Sequence, residues 1–185
     1  MANAKSKSVI VDAILYYPKV FLENRDMGNE HVDLSETDGM YKVELFLDAE
    51  NVKKLEEAGM PKKFGAFPAF KDGEHQGKTY KRYTAKRPHL SKYLLDEAGD
   101  RKVMGPPLVF DFNIFQEAYK AAGGQGKSDD HITPWTIQDG LIGNGTKAKV
   151  RLNIYKGMKA TIVTLERIGI VDHVVYETAG NSEWF

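Results

Sequence analysis

Two acid-free stretches hold the side chains best suited to chemistry, and that chemistry is ionic and aromatic rather than covalent. Residues 78–92 contain Lys78, Lys81, Arg82, Lys86, Arg87 and Lys92, with Tyr80 and Tyr83 among them. Residues 147–159 contain Lys147, Lys149, Arg151, Lys156 and Lys159, with Tyr155 among them. Cations at this density track phosphates, while aromatic rings stack on bases at roughly 1–3 kcal/mol per base whatever the sequence. The combination suits a single strand, whose bases are open, better than a duplex, whose bases are already stacked.

Other chemistries lack their materials. There is no cysteine, which removes disulfides, thiolate nucleophiles and Cys-based zinc sites. His31, His75, His89, His131 and His173 show no ligand spacing, and Asp129-Asp130-His131 reads as a solvated loop. Gly143-Asn144-Gly145 lacks the spacing of a P-loop or a dinucleotide fingerprint and reads as a tight turn. No catalytic triad or carboxylate pair can be assembled. The expectation is a binding protein with no catalytic residue, metal or cofactor. A nuclease would need a carboxylate cluster that is not evident. A protein-interaction or virion structural module, its basic strands meeting an acidic partner, is the main alternative.

The 26 Lys and Arg balance the 26 Asp and Glu, so the formal net charge is zero. The balance hides segregation: residues 23–57 hold eleven acids against four bases, Arg25, Lys42, Lys53 and Lys54. Charges farther apart than a Debye length of about 8–10 Å do not cancel, so the basic stretches can still attract a polyanion. The first residues have no apolar run, and no segment approaches the roughly 18 apolar residues of a membrane span, so no membrane is expected.

The elements that must carry these residues follow from periodicity. Ser8–Phe21, rich in Val, Ile, Leu and Tyr, predicts a first strand ending in a bend at Pro18. Asp38-Gly39 marks a turn, and Met40–Leu47 alternates as a half-buried strand does. Asp48 can cap a short helix over Ala49–Ala58. The loop that follows brings Phe64, Phe67 and Phe70, and Lys78–Arg87 is the next strand. Tyr80 and Tyr83 have opposite parity, so only one of them can share a given face without a bulge.

Leu108–Phe112 is a short strand, Asn113 a helix cap, and 123–134 a loop that carries on to Trp135. In Thr146–Lys156, Ala148, Val150, Leu152 and Ile154 point one way while Lys147, Lys149, Arg151, Asn153 and Tyr155 point the other. Thr161–Tyr176 is a long apolar strand, with Glu166-Arg167 and Gly169 suggesting a bulge. These elements predict a mainly β fold, an OB-like five-stranded barrel with one or two short helices and long loops. One domain is expected over residues 1–178, with a short tail at 179–185.

With these segments placed, the chain resembles the single-stranded DNA-binding proteins of tailed bacteriophages, of the podophage replication type. Gly39-Met-Tyr-Lys-Val-Glu-Leu45 looks like the family's second strand, and Pro68-Ala-Phe-Lys-Asp-Gly73 with Lys78–Arg87 like its turn and basic strand. Leu141–Leu152 looks like its glycine turn and following strand. The resemblance covers roughly residues 39–176. It implies an OB-fold that protects single-stranded DNA in replication and recombination, in the cytoplasm of the infected bacterial host. It also implies contacts with the phage DNA polymerase and primase-helicase. The family's tail is strongly acidic and closed by an aromatic. Here Ala179–Phe185 has Trp184 and Phe185 but only Glu183 as an acid, which leaves tail-mediated autoinhibition and a homodimer open. The strand-binding residues expected are Lys78, Tyr80, Lys81, Arg82, Tyr83, Lys86, Arg87, Lys147, Lys149, Arg151, Tyr155, Lys156 and Lys159.

Overall fold

The computed structural model of the protein describes residues 5–61, 65–67 and 78–176. Its strands, in chain order, are β1 (Lys5–Lys19), β2 (Gly28–Asn29), β3 (Val32–Asp33), β4 (Met40–Leu47), β5 (Gly65–Phe67) and β6 (Tyr80–Pro88). They continue with β7 (Leu90–Leu95), β8 (Arg101–Val103), β9 (Leu108–Asp111), β10 (Thr146–Lys156) and β11 (Thr161–Asp172). The helices are α1 (Ala49–Glu57) and α2 (Phe112–Ala121). The fold is mainly β, as expected, but the expected five-stranded barrel is not what the ladders build. Seven strands form one open, mixed sheet in the order β5-β6-β4-β1-β10-β11-β9, in which β9 joins β11 in parallel, while β2–β3 and β7–β8 pair as separate two-stranded sheets. No helix among the described residues is long and apolar enough to cross a membrane.

Alternation decides which side of the sheet is core. Val11, Leu15, Val43, Leu45, Val150, Leu152, Leu165 and Ile168 are fully shielded from solvent on the inner face. Removing any one of these larger side chains to Ala would cost about 2–5 kcal/mol. Helix α1 closes one end of this core with Val52 and Leu55, and its start is fixed as its sequence predicts: Asp48 accepts a hydrogen bond from the Asn51 amide at 2.9 Å. The buried Asn51 then accepts from the Asp12 amide at 3.0 Å, which ties α1 to β1.

Several boundaries move for identifiable reasons. Strand β1 runs Lys5–Lys19 rather than Ser8–Phe21, and its bend is a bulge between Tyr16 and Lys19 with Tyr17 at φ 49°. Helix α2 is capped by Asp111, which accepts from the Ile114 amide at 3.0 Å, not by Asn113, whose side chain instead donates to the Val171 carbonyl. The bulge in β11 falls at Glu166, as expected, but Gly169 stays in register with Lys149. A side chain at 169 would strike the Phe110 and Phe112 rings at 3.1 and 3.2 Å, so this glycine admits two aromatic rings. The β7–β8 hairpin has no signature in the sequence: Tyr93, Leu94, Leu95 and Val103 are all exposed, and no buried face gives the segment a period.

Candidate functional site

The two basic strands, β6 and β10, are separated in the sheet by β4 and β1, three strand spacings or about 14 Å. Register decides whether their cations share a face. Arg82 opposes Phe46, Phe46 opposes Ile14, and Ile14 opposes Lys147, so one cross-strand row runs from β6 to β10 on the outer side. Tyr80, Arg82 and Lys86 therefore share a face with Lys147, Lys149, Arg151 and Tyr155, because every second residue repeats it. Tyr80 and Lys147 line a single open depression of about 250 Å³, floored by Ile14 and Phe46 and edged by Asp12 and Asp48.

A second row joins the expected Lys86 to two lysines outside the expected set, Lys42 and Lys19. Lys86 opposes Lys42, which opposes Lys19, so three lysines cross β6, β4 and β1 side by side. Asp26 ties two of the three together, 2.5 Å from the Lys42 ammonium and 4.0 Å from that of Lys19. The hydrogen bond from Lys42 keeps the Asp26 carboxyl below its ordinary value. In the sequence Lys42 lies within the acidic stretch; only strand pairing brings it beside Lys86.

The outer face is a mosaic of ion pairs rather than a bare cationic surface. Lys149 meets Asp12 at 2.7 Å, Arg151 meets Glu166 at 3.0 Å, and Arg82 meets Glu44 at 3.9 Å. The Lys149 ammonium also stands over the Phe112 ring, 5.5 Å from its centroid, in the space that Gly169 leaves open. Farther along, Arg167 lies on the same face opposite Arg151 and takes both oxygens of Asp129 at 2.7 and 3.0 Å. That contact draws the Asp129 carboxyl below its usual range, with Arg151 adding a smaller pull. Arg167 was not among the expected site residues.

Other expected residues fall elsewhere. Tyr83 lies on the inner face, opposite Leu45, packed against the core, and burial pushes its phenol up to about 12. Its ring is partly buried against that core, on the side of the sheet away from Tyr80 and Arg82. Arg87 also points inward and is a seam: Nε donates to the Gly105 carbonyl at 2.8 Å, and Nη2 donates to that of Met104 at 2.7 Å. Its Nη1 reaches the Leu165 carbonyl at 3.5 Å across the gap to β11. Burial lowers the Arg87 guanidinium from its ordinary value, with Glu166 opposing. This guanidinium is committed to carbonyls and is not available to phosphate.

Lys81 is exposed but has the inner parity, and Lys78 is exposed just ahead of β6. The Lys156 side chain lies over Gly59 at the end of α1, away from the outer row, and Lys159 is exposed in the β10–β11 turn. Among the loop aromatics, Trp135 packs on the core and donates from Nε1 to the Gly140 carbonyl at 2.9 Å. Phe64, Phe70 and the tail 179–185 lie outside the described residues, and for Phe67 only the strand is described.

No family model and no curated protein matches the chain. The site therefore stands on its geometry. Among the described residues no three His, Asp or Glu side chains gather as a metal-holding group. The arrangement can supply a row of cations, apolar and aromatic floor between them, and carboxylates that an incoming polyanion would have to displace.

Proposed function

We propose that the chain binds single-stranded DNA without strong sequence preference, along the outer face of β6, β4, β1 and β10. The observation that carries this reading is the register row Arg82–Phe46–Ile14–Lys147, which sets cations about 14 Å apart with apolar side chains between them. Phosphates would lie against Arg82, Lys86, Lys147, Lys149 and Arg151, and bases against Tyr80 and Tyr155. Tyr155, at 38% exposure, presents a ring at the far end of β10.

Strand order supports an OB-type architecture. In β6-β4-β1-β10-β11, each neighbouring pair is antiparallel, so β6 and β11 run parallel at the two margins. These are the order and sense of a five-stranded Greek-key barrel, in which the face of the second and third strands takes oligonucleotides. Those strands correspond here to β4 and β6. A role in phage replication and recombination, with a polymerase and a primase-helicase as partners, follows from the sequence resemblance alone.

The test is fluorescence anisotropy with labelled oligothymidine at low salt, against a duplex of equal length. Preferential binding of the single strand, weakening steeply with salt, is expected. No binding at low salt overturns the reading. A protein-interaction module then becomes the better account, favoured by the exposed Tyr93, Leu94, Leu95 and Val103 of the β7–β8 hairpin.

A further inference from the structure

Arg151 and Arg167 are register partners across β10 and β11. Like charges set directly opposite in a sheet repel, and each of these two persists beside a carboxylate of its own. Arg151 holds Glu166, its Nε 3.0 Å from Oε2, while Arg167 holds Asp129 through two parallel bonds of 2.7 and 3.0 Å. Beside them opens a polar depression of about 340 Å³ lined by Arg87, Pro106, Leu108, Arg151, Glu166 and Arg167. Its lining contributes three guanidiniums and one carboxylate, and Arg87 is spent on backbone carbonyls. The remaining two arginines, Arg151 and Arg167, face this depression together.

The two carboxylates differ in how firmly they are placed. Glu166 belongs to β11 itself and its side chain is 29% exposed. Asp129 is 62% exposed and arrives on the single turn Ser128–His131, after Gly123, Gly124 and Gly126, each at positive φ. The turn touches α2 through His131 and Tyr119, whose rings are 5.7 Å apart. An exposed carboxylate leaves a guanidinium at little cost, since water solvates it at once. Arg167, only 24% exposed, cannot be left without an anion so cheaply. Its planar fork can donate to two phosphate oxygens in the geometry in which it now donates to two carboxylate oxygens.

We propose that Arg167 and Arg151 form a phosphodiester-binding seat at the β11 side of the strand-binding face, which Asp129 fills in the free protein and yields to a phosphate of the bound strand. The inference rests on the single-strand-binding reading and adds to it a residue and a regulating segment, 123–131. Binding then includes release of the Asp129 turn, and the free chain is held in a self-competed state.

The experiment compares oligothymidine affinity at low salt for the wild type, Asp129→Asn, Asp130→Asn, Arg167→Ala and the double variant Asp129→Asn with Arg167→Ala. Asp130 stands on the same turn, so its change removes the same charge without touching the pair. Asp129→Asn is expected to bind roughly three- to tenfold tighter, and Asp130→Asn within about twofold of wild type. Arg167→Ala is expected to bind more weakly, with no further gain from Asp129→Asn in its background. An equal gain from Asp130→Asn, a gain that survives removal of Arg167, or no gain from Asp129→Asn overturns the seat while leaving strand binding intact. If neither wild type nor Asp129→Asn binds, the strand-binding reading falls and the seat with it. If only Asp129→Asn binds, the seat is supported in its strongest form. Should Arg167→Ala fail to fold by circular dichroism, the comparison of Asp129→Asn with Asp130→Asn decides.

Discussion

Ile14 lies directly opposite Phe46 across β1 and β4, and this apolar pair separates Arg82 on one side from Lys147 on the other. Both Ile14 and Phe46 sit on the outer face, yet they are 6% and 2% exposed. Neighbouring side chains cover them, the Tyr16 ring standing 4.6 Å from that of Phe46, so the pair spaces the two cations rigidly rather than offering a stacking surface.

Replacing Lys147 and Lys149 together by Ala should therefore weaken all single-stranded sequences about equally. Removing one cation from a phosphate flattens the dependence of log affinity on log salt by roughly 0.7 for a single strand, so the slope should fall by about 1–2 units. Anisotropy titrations over a salt series measure it. Weakening confined to some sequences, with an unchanged slope, would mean that these lysines do not touch the backbone.

The two tyrosines Tyr83 and Tyr155 should separate stability from binding. Tyr83→Ala empties a place against the core and should cost roughly 2–4 kcal/mol in urea unfolding. Tyr155→Ala, on the exposed end of the outer face, should leave unfolding unchanged and cost roughly 1–3 kcal/mol of strand binding. The reverse pattern would exchange their roles.

Elements set by local alternation are legible in the sequence: β4 and β10 have the predicted bounds because each buries one face completely. Parity in β6 is harder to read, since Tyr80, Arg82, Thr84 and Lys86 on one side and Lys81, Tyr83 and Arg87 on the other are all polar or amphipathic. Only Ala85, fully buried, marks the inner face. Hence parity separates Tyr83 from Tyr80 in the sequence but does not say which side is inner, and Tyr83 and Arg87 remain among the expected binding residues although they lie on the inner side. Lys19, Lys42 and Arg167 escape it for another reason. Their neighbours are brought in by strand pairing between residues far apart in sequence, which no local period encodes.

Arg87 is the residue where this distinction should be most visible in energy. Its fork satisfies the Gly105 and Met104 carbonyls and leans on that of Leu165, holding β6 near β11. Arg87→Lys keeps the charge but cannot span two carbonyls in the same plane. It should lower stability by about 2–4 kcal/mol, read as a shifted denaturation midpoint, while the salt slope of strand binding stays that of wild type. A flattened slope with unchanged stability would return Arg87 to the binding surface.

Asp26 sets the behaviour of the Lys19–Lys42 pair in acid. Its folded carboxyl is held below the ordinary 3.8, first by the hydrogen bond from Lys42 and further by the amide of Gly28 and the charge of Lys19. A depressed carboxyl contributes stability that is fully present above the unfolded value and is lost as pH falls through the folded one. Between pH 7 and 5 the contribution should be constant, and below 3.8 it should decline. Asp26→Asn should lower stability at neutral pH, and its deficit relative to wild type should shrink as the solution is acidified. Paired urea titrations at about pH 7 and pH 3 measure this, and a deficit that stays equal at both would show that the Asp26 carboxylate is not held by its lysines.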